Sequence, residues 1–143
     1  MSLINLAKTI MPNGNLICDE AININTNETY DFIVSHSVFH YFKDLDYAKD
    51  VLVRMIQKSN KKIGIFDINN EEKKEQYYLL RMKGMDKQEY KQKYQELEHL
   101  FYEKSWFEKM AKEFNLKISI FDQTFENYLN SSLRFNVIME KNR

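Results

Sequence analysis

Short, uninterrupted apolar runs alternate along the chain with longer stretches of helical spacing. The runs Asn15–Cys18, Tyr30–Ser35, Lys62–Ile68, Leu116–Phe121 and Phe135–Glu140 are predicted as strands. Within Asp31–Ser35 and Lys62–Asp67 the apolar residues follow one another without a polar alternate. That pattern predicts strands buried on both faces of a parallel sheet. Between them Leu45, Ala48, Val51 or Leu52, and Met55 or Ile56 recur three and four apart, with Asp46, Lys49, Asp50 and Arg54 opposite. This is an amphipathic helix, and Asp44 is placed to cap its first turn. Strand, helix, strand in that order predicts a right-handed βαβ crossover.

The segment Glu71–Tyr102 is charged, tyrosine-rich and helical in tendency, with Gly84 as a break. A further helix is predicted over Lys104–Phe114, where Ser105 and Glu108 have capping-box spacing and Trp106, Phe107, Met110, Ala111 and Phe114 form the apolar face. The last two strands are separated only by Asp122–Leu133, too little for a covering helix and its turns, so an antiparallel return is expected. Leu3, Ile4, Leu6, Ala7 and Ile10 predict a short N-terminal helix. The expected fold is α/β: a mostly parallel sheet with a C-terminal antiparallel strand, flanked by helices.

Composition narrows the function. With 143 residues the chain makes a single domain. Lys+Arg 21 balance Asp+Glu 21, which argues against a nucleic-acid partner. The only cysteine, Cys18, allows no intramolecular disulfide, reads as core inside its apolar run, and fits a reducing, cytoplasmic setting. No apolar run reaches the roughly 20 residues of a membrane span. Gly14, Gly64 and Gly84 are the only glycines, so a Gly-rich phosphate loop has no material.

The chemistry concentrates after the strand that begins at Tyr30, in Ser35-His36-Ser37-Val38-Phe39-His40-Tyr41. Ligands in open α/β sheets bind outside the carboxyl ends of the strands. His36 and His40 therefore either face a ligand or satisfy buried backbone groups. Cys18-Asp19-Glu20-Ala21 and Asp67-Ile68-Asn69-Asn70 are two more polar strand ends on the same edge, with Asp67 read either as part of that rim or as a helix cap. A metal site is not expected, because His36 and His40 lack the intervening glutamate of the zinc-protease pattern. A serine hydrolase lacks a serine between flanking glycines on a strand-to-helix turn.

The phrase Tyr30-Asp31-Phe32-Ile33-Val34-Ser35-His36-Ser37-Val38-Phe39-His40-Tyr41 resembles the fourth strand of a class I, Rossmann-like S-adenosylmethionine-dependent methyltransferase. Leu16–Ile24 is similar to that family's third strand and acidic loop, Lys62–Asp67 to its fifth strand, and Asn5-Leu6-Ala7-Lys8 to the helix after its second. The resemblance runs from about residue 4 onward. It implies S-adenosyl-L-methionine as cofactor, with Asp19, Glu20, Ser35 and His36 on the cofactor side. It also implies a small-molecule nitrogen or oxygen acceptor, with His40 and His99 as catalytic candidates. Glu71–Tyr102 resembles a lid over the substrate, in which Tyr77, Arg81 and Tyr102 are the candidate contacts, together with Tyr90, Tyr94 and His99. Arg81 suits an anionic group.

The family's Gly-rich turn and its ribose-binding acid have no counterpart in the sequence. The expectation is therefore an incomplete domain, the C-terminal two-thirds of a methyltransferase. From a different class comes the alternative: an inactive, truncated remnant that associates with a copy of itself, as a homodimer, through an exposed sheet edge.

Overall fold

A computed structural model describes residues 3–82, 84–86, 88–89, 92 and 98–142. In chain order its elements are α1 (Leu3–Ile10), β1 (Tyr30–His36), α2 (Leu45–Lys58), β2 (Ser59–Asn69), α3 (Lys74–Arg81), α4 (Lys104–Glu113), β3 (Leu116–Asp122) and β4 (Arg134–Lys141). The strands form one sheet of spatial order β1-β2-β4-β3. β1 and β2 are parallel, whereas β4 runs antiparallel to both of its neighbours. The antiparallel strand is last in the chain, as expected, yet it lies inside the sheet. With flanking helices, this is a mixed α/β fold built on one open four-stranded sheet.

The βαβ unit forms for the reasons its pattern gives. The Asp44 carboxylate accepts the Tyr47 N–H at 2.7 Å, and Ala48, Val51, Leu52 and Met55 are buried below it. In α4, Phe107, Met110 and Ala111 are buried. Both helices cover the face carrying Ile33, Ile63, Ile65, Val137, Met139, Ile118 and Ile120. Alternation along the strands places Phe32, Val34, Phe66, Ile138 and Phe121 on the other face. There Phe32 and Val34 are each 63% exposed, so β1 is not buried on both faces as its unbroken apolar run predicts.

Two further expectations are corrected. Asn15–Cys18 forms no strand, because among the described residues no neighbouring strand offers it a ladder, and Cys18 is exposed instead of lying in the core. The capping box of α4 is absent as well. Lys104 is already helical, which puts Ser105 inside the first turn, where its hydroxyl donates to the Glu103 carboxylate at 2.8 Å.

The segment that returns from the tyrosine-rich insertion is pinned to the sheet. Leu100 N–H donates to the His40 carbonyl at 2.9 Å, and Tyr102 N–H to the Asn69 carbonyl at 2.9 Å. A small second core of Tyr77, Phe101 and Leu133 closes this end of the molecule. Among the described residues no helix is long and apolar enough to cross a membrane.

Candidate functional site

β1 and β2 end side by side, and both ends turn sharply. Ser37 and Asp67 have left-handed backbone, φ 56° and 61°. Asp67 lies where the β2–β4 register shifts between Ile65 and Ile68, a bulge of the kind that re-aims a side chain at a sheet edge. Its N–H donates to Asn136 Oδ1 at 3.0 Å, which holds the strained conformation in place.

The Asp67 side chain is the hub of a buried polar group, itself 3% exposed. Its carboxylate accepts from the Ser37 hydroxyl, from Gln123 Nε2 at 3.3 Å and from the Tyr128 hydroxyl at 3.3 Å. Arg134 Nε stands 3.8 Å away, an ion pair by charge but too long for a hydrogen bond. Burial alone pushes the Asp67 carboxyl up. The Ser37 hydrogen bond, the Arg134 charge, Gln123 and His40 outweigh it, so the group is held below the ordinary carboxylate value. Asp67 is thus a tie between β1, β2, β4 and the β3–β4 loop, and Asn70, not Asp67, caps the turn that follows.

Above the hub sit two histidines. His40 and His99 have ring centroids 4.9 Å apart, and Tyr41 meets His99 edge-on at 5.0 Å. Arg134 Nη1 lies 3.3 Å from His40 Nδ1, and the Tyr77 hydroxyl 2.6 Å from His99 Nδ1. Burial, then Arg134 and His99, lower His40 to about 4, with the Asp67 charge and backbone opposing. His99 is lowered to about 4 by burial, then by Arg81 and Arg134. Both rings are neutral at pH 7. The Arg81 guanidinium is 5.0 Å from the Tyr77 ring centroid.

Beside this cluster opens a cavity of about 760 Å³ lined by Cys18, Asp19, Glu20, Ala21, Val38, Tyr41, Phe42, Lys43 and Tyr47. One Asp19 oxygen accepts from Glu20 N–H at 2.7 Å and Asn23 Nδ2 at 2.8 Å. Those bonds, Asn23's above all, lower the Asp19 carboxyl. Glu20 accepts the Tyr47 hydroxyl through Oε2 at 3.1 Å. An adjoining cavity of about 240 Å³ holds Ser35 and His36 and shares Ala21, Val38 and Phe42 with the first.

The structure thus brings Asp19 and Glu20 into one cavity and Ser35 and His36 into the next, with common walls. It brings His40, His99, Tyr77 and Arg81 into a separate cluster, joined to the larger cavity through Tyr41. His40 itself is buried, 3% exposed, with its Nδ1 turned to Arg134 Nη1 and not to either cavity lining. Tyr102 is corrected as a substrate contact. It is fully buried, its hydroxyl donates to the Phe39 carbonyl at 2.8 Å, and burial pushes the phenol up. Tyr90 and Tyr94 lie outside the described residues. Sequence reasoning missed Arg134, Asn136, Gln123 and Tyr128. The signal for the first two was polar side chains at the start of an otherwise apolar strand.

No family model matches the chain, and no curated protein matches it either. Solved structures do. The N-methyltransferase NodS from Bradyrhizobium japonicum WM9 superposes with a TM-score of 0.65 at 10% identity, over 98% of this chain and 68% of that one. Magnesium protoporphyrin IX methyltransferase (ChlM) from Synechocystis PCC 6803 with bound SAH gives 0.60 at 10% identity, over 95% of this chain and 55% of that one. With bound SAM it gives 0.58 at 8% identity, over 96% and 52%. The chain spans about half the length of ChlM. At these identities the likeness is one of architecture alone: the chain has a fold that these methyltransferases share.

Proposed function

We propose that this chain forms the cofactor and acceptor faces of an S-adenosylmethionine-dependent methyltransferase acting on a small-molecule nitrogen or oxygen acceptor. The observation that carries the reading is the cavity at the carboxyl ends of the strands, which joins an acidic loop to an apolar wall. Carboxylates only accept hydrogen bonds, so Glu20 and Asp19 suit the amino and hydroxyl donors of an adenosine. Val38, Tyr41 and Phe42 supply the apolar sides that a purine needs. Ser35 and His36 line the adjoining space. When bound, S-adenosylmethionine supplies an already activated sulfonium methyl group. The chain's remaining task is to align the acceptor and move its proton, and His99, partly buried and in contact with the cavity wall at Tyr41, is the side chain we assign to that step. The neighbours' bound SAM and SAH support the cofactor, and the N-methyltransferase among them supports a nitrogen acceptor.

A second reading, a self-associating fold module without catalysis, is favoured by the outer edge of β1, which no strand among the described residues pairs, and by exposed Phe32 and Val34. Antiparallel pairing of two β1 edges about Ile33 sets Phe32 of one copy against Val34 of the other and opposes no like charges. Calorimetric titration of S-adenosylmethionine, with sedimentation at several protein concentrations, separates the two. Micromolar binding is expected. No binding at about 1 mM, together with a concentration-dependent dimer, selects the second reading.

A further inference from the structure

We infer that Tyr47 is the positioning residue of the acidic loop: its hydroxyl holds the Glu20 carboxylate at the cavity wall, and the pair makes that wall select amino-purine over keto-purine ligands. The selectivity rests on the methyltransferase reading of this cavity; the tie between Tyr47 and Glu20 does not.

The hydrogen bond between the two side chains can run only one way. A carboxylate accepts and never donates, so the Tyr47 hydroxyl donates to Glu20 Oε2, at 3.1 Å. With its single proton spent there, the phenol oxygen has only lone pairs left to offer. The Glu20 side chain makes no other hydrogen bond among the described residues, which leaves Oε1 for a ligand's donor. Both residues line the cavity of about 760 Å³, so a ligand that reaches this pair meets acceptors. Asp19, in the same lining, has the same character. Its Oδ1 already takes Glu20 N–H and Asn23 Nδ2, and its other oxygen can only accept.

Tyr47 can hold Glu20 because it is itself held. It stands in the first turn of α2, with its N–H on the Asp44 carboxylate at 2.7 Å. Its ring meets Phe42 edge-on, with centroids 5.1 Å apart, and the Lys43 ammonium lies 5.6 Å from the ring centroid. Glu20 is exposed and has a longer, more flexible side chain, so without the tie its carboxylate samples several rotamers. The bond spans 27 residues of chain and fixes the acidic loop to α2. An adenine edge presents an exocyclic amino group, a donor that Oε1 can take. A keto purine has an oxygen in that place, which would set lone pairs against lone pairs.

Titration calorimetry of the whole chain with S-adenosylhomocysteine and with its keto analogue, S-inosylhomocysteine, tests the selectivity. The amino ligand should bind about tenfold more tightly. Tyr47→Phe keeps the ring and removes only the hydroxyl. It should weaken the amino ligand about fivefold and leave the keto ligand unaffected, so that the preference shrinks to about twofold. A residue that merely supported the fold would move both ligands together. Equal affinities before substitution, or an undiminished preference after it, overturn the inference. The tie is read with no ligand present: the carbon-13 resonance of the Glu20 side-chain carboxylate should shift in Tyr47→Phe, and an unmoved resonance overturns the positioning role. Binding of neither ligand would count against the methyltransferase reading and its selectivity, while the carboxylate resonance still decides the role of Tyr47.

Discussion

At the scale of single residues, the buried polar group around Asp67 makes stability depend on pH. The unfolded chain has ordinary histidines, whereas folded His40 is lowered to about 4 from 6.5. Between those values the unfolded state binds more protons, so stability rises with pH. The contribution is complete above the unfolded value and is lost as pH falls toward about 4. For a ring this buried the loss reaches up to about 3 kcal/mol. Asp67, also lowered on folding, acts in the same direction at lower pH, below its ordinary 3.8. Urea midpoints should therefore fall between pH 7 and pH 4.5, as measured by circular dichroism, and His40→Gln should reduce that dependence without abolishing it, because His99 is lowered to about 4 as well. Asp67→Asn removes the charge opposite Arg134 while keeping the shape. It should cost about 1–3 kcal/mol in a denaturant titration at pH 7; an unchanged midpoint would deny Asp67 its role as hub. Little of this group was legible in the sequence. Asp67 reads equally as a cap, and its distant contacts, from Gln123 to Asn136, come from the bulge and the antiparallel insertion of β4.

Among the elements, α2 and the strands that bracket it were plain from pattern alone, because helical spacing, a capping aspartate and two apolar runs agree with one another. Asp44→Ala should accordingly lower stability by about 1 kcal/mol, read as a shift in thermal midpoint, by leaving the Tyr47 N–H without its cap. The run at Asn15–Cys18 misled for a physical reason. Apolar residues supply strand propensity, but a strand exists only where a neighbour completes its hydrogen bonds. β1 misled differently: its unbroken apolar sequence fits burial on both faces, while α2 and α4 cover only one. Substituting Phe32 by Lys should change the stability of a monomer by no more than about 0.5 kcal/mol. The same substitution should abolish any dimer formed through β1, which analytical ultracentrifugation would show. A large loss of monomer stability would mean that this face is covered after all.

For the molecule as a whole, the segments that carry the resemblance in sequence, the acidic loop and the strand end at Ser35–Tyr41, are the ones that the fold gathers around two adjoining cavities. The element order made that grouping legible. The polar partner of His40 was not, since it is Arg134, nearly a hundred residues away in the chain. The central claim is that S-adenosylmethionine binds between the acidic loop and the turn after β1. Mapping amide chemical shifts as S-adenosylmethionine is titrated into nitrogen-15-labelled protein tests it most directly. The account predicts saturable shifts concentrated at Cys18–Ala21, Val38–Phe42 and Tyr47. Saturable shifts centred elsewhere, or none at all, would contradict it.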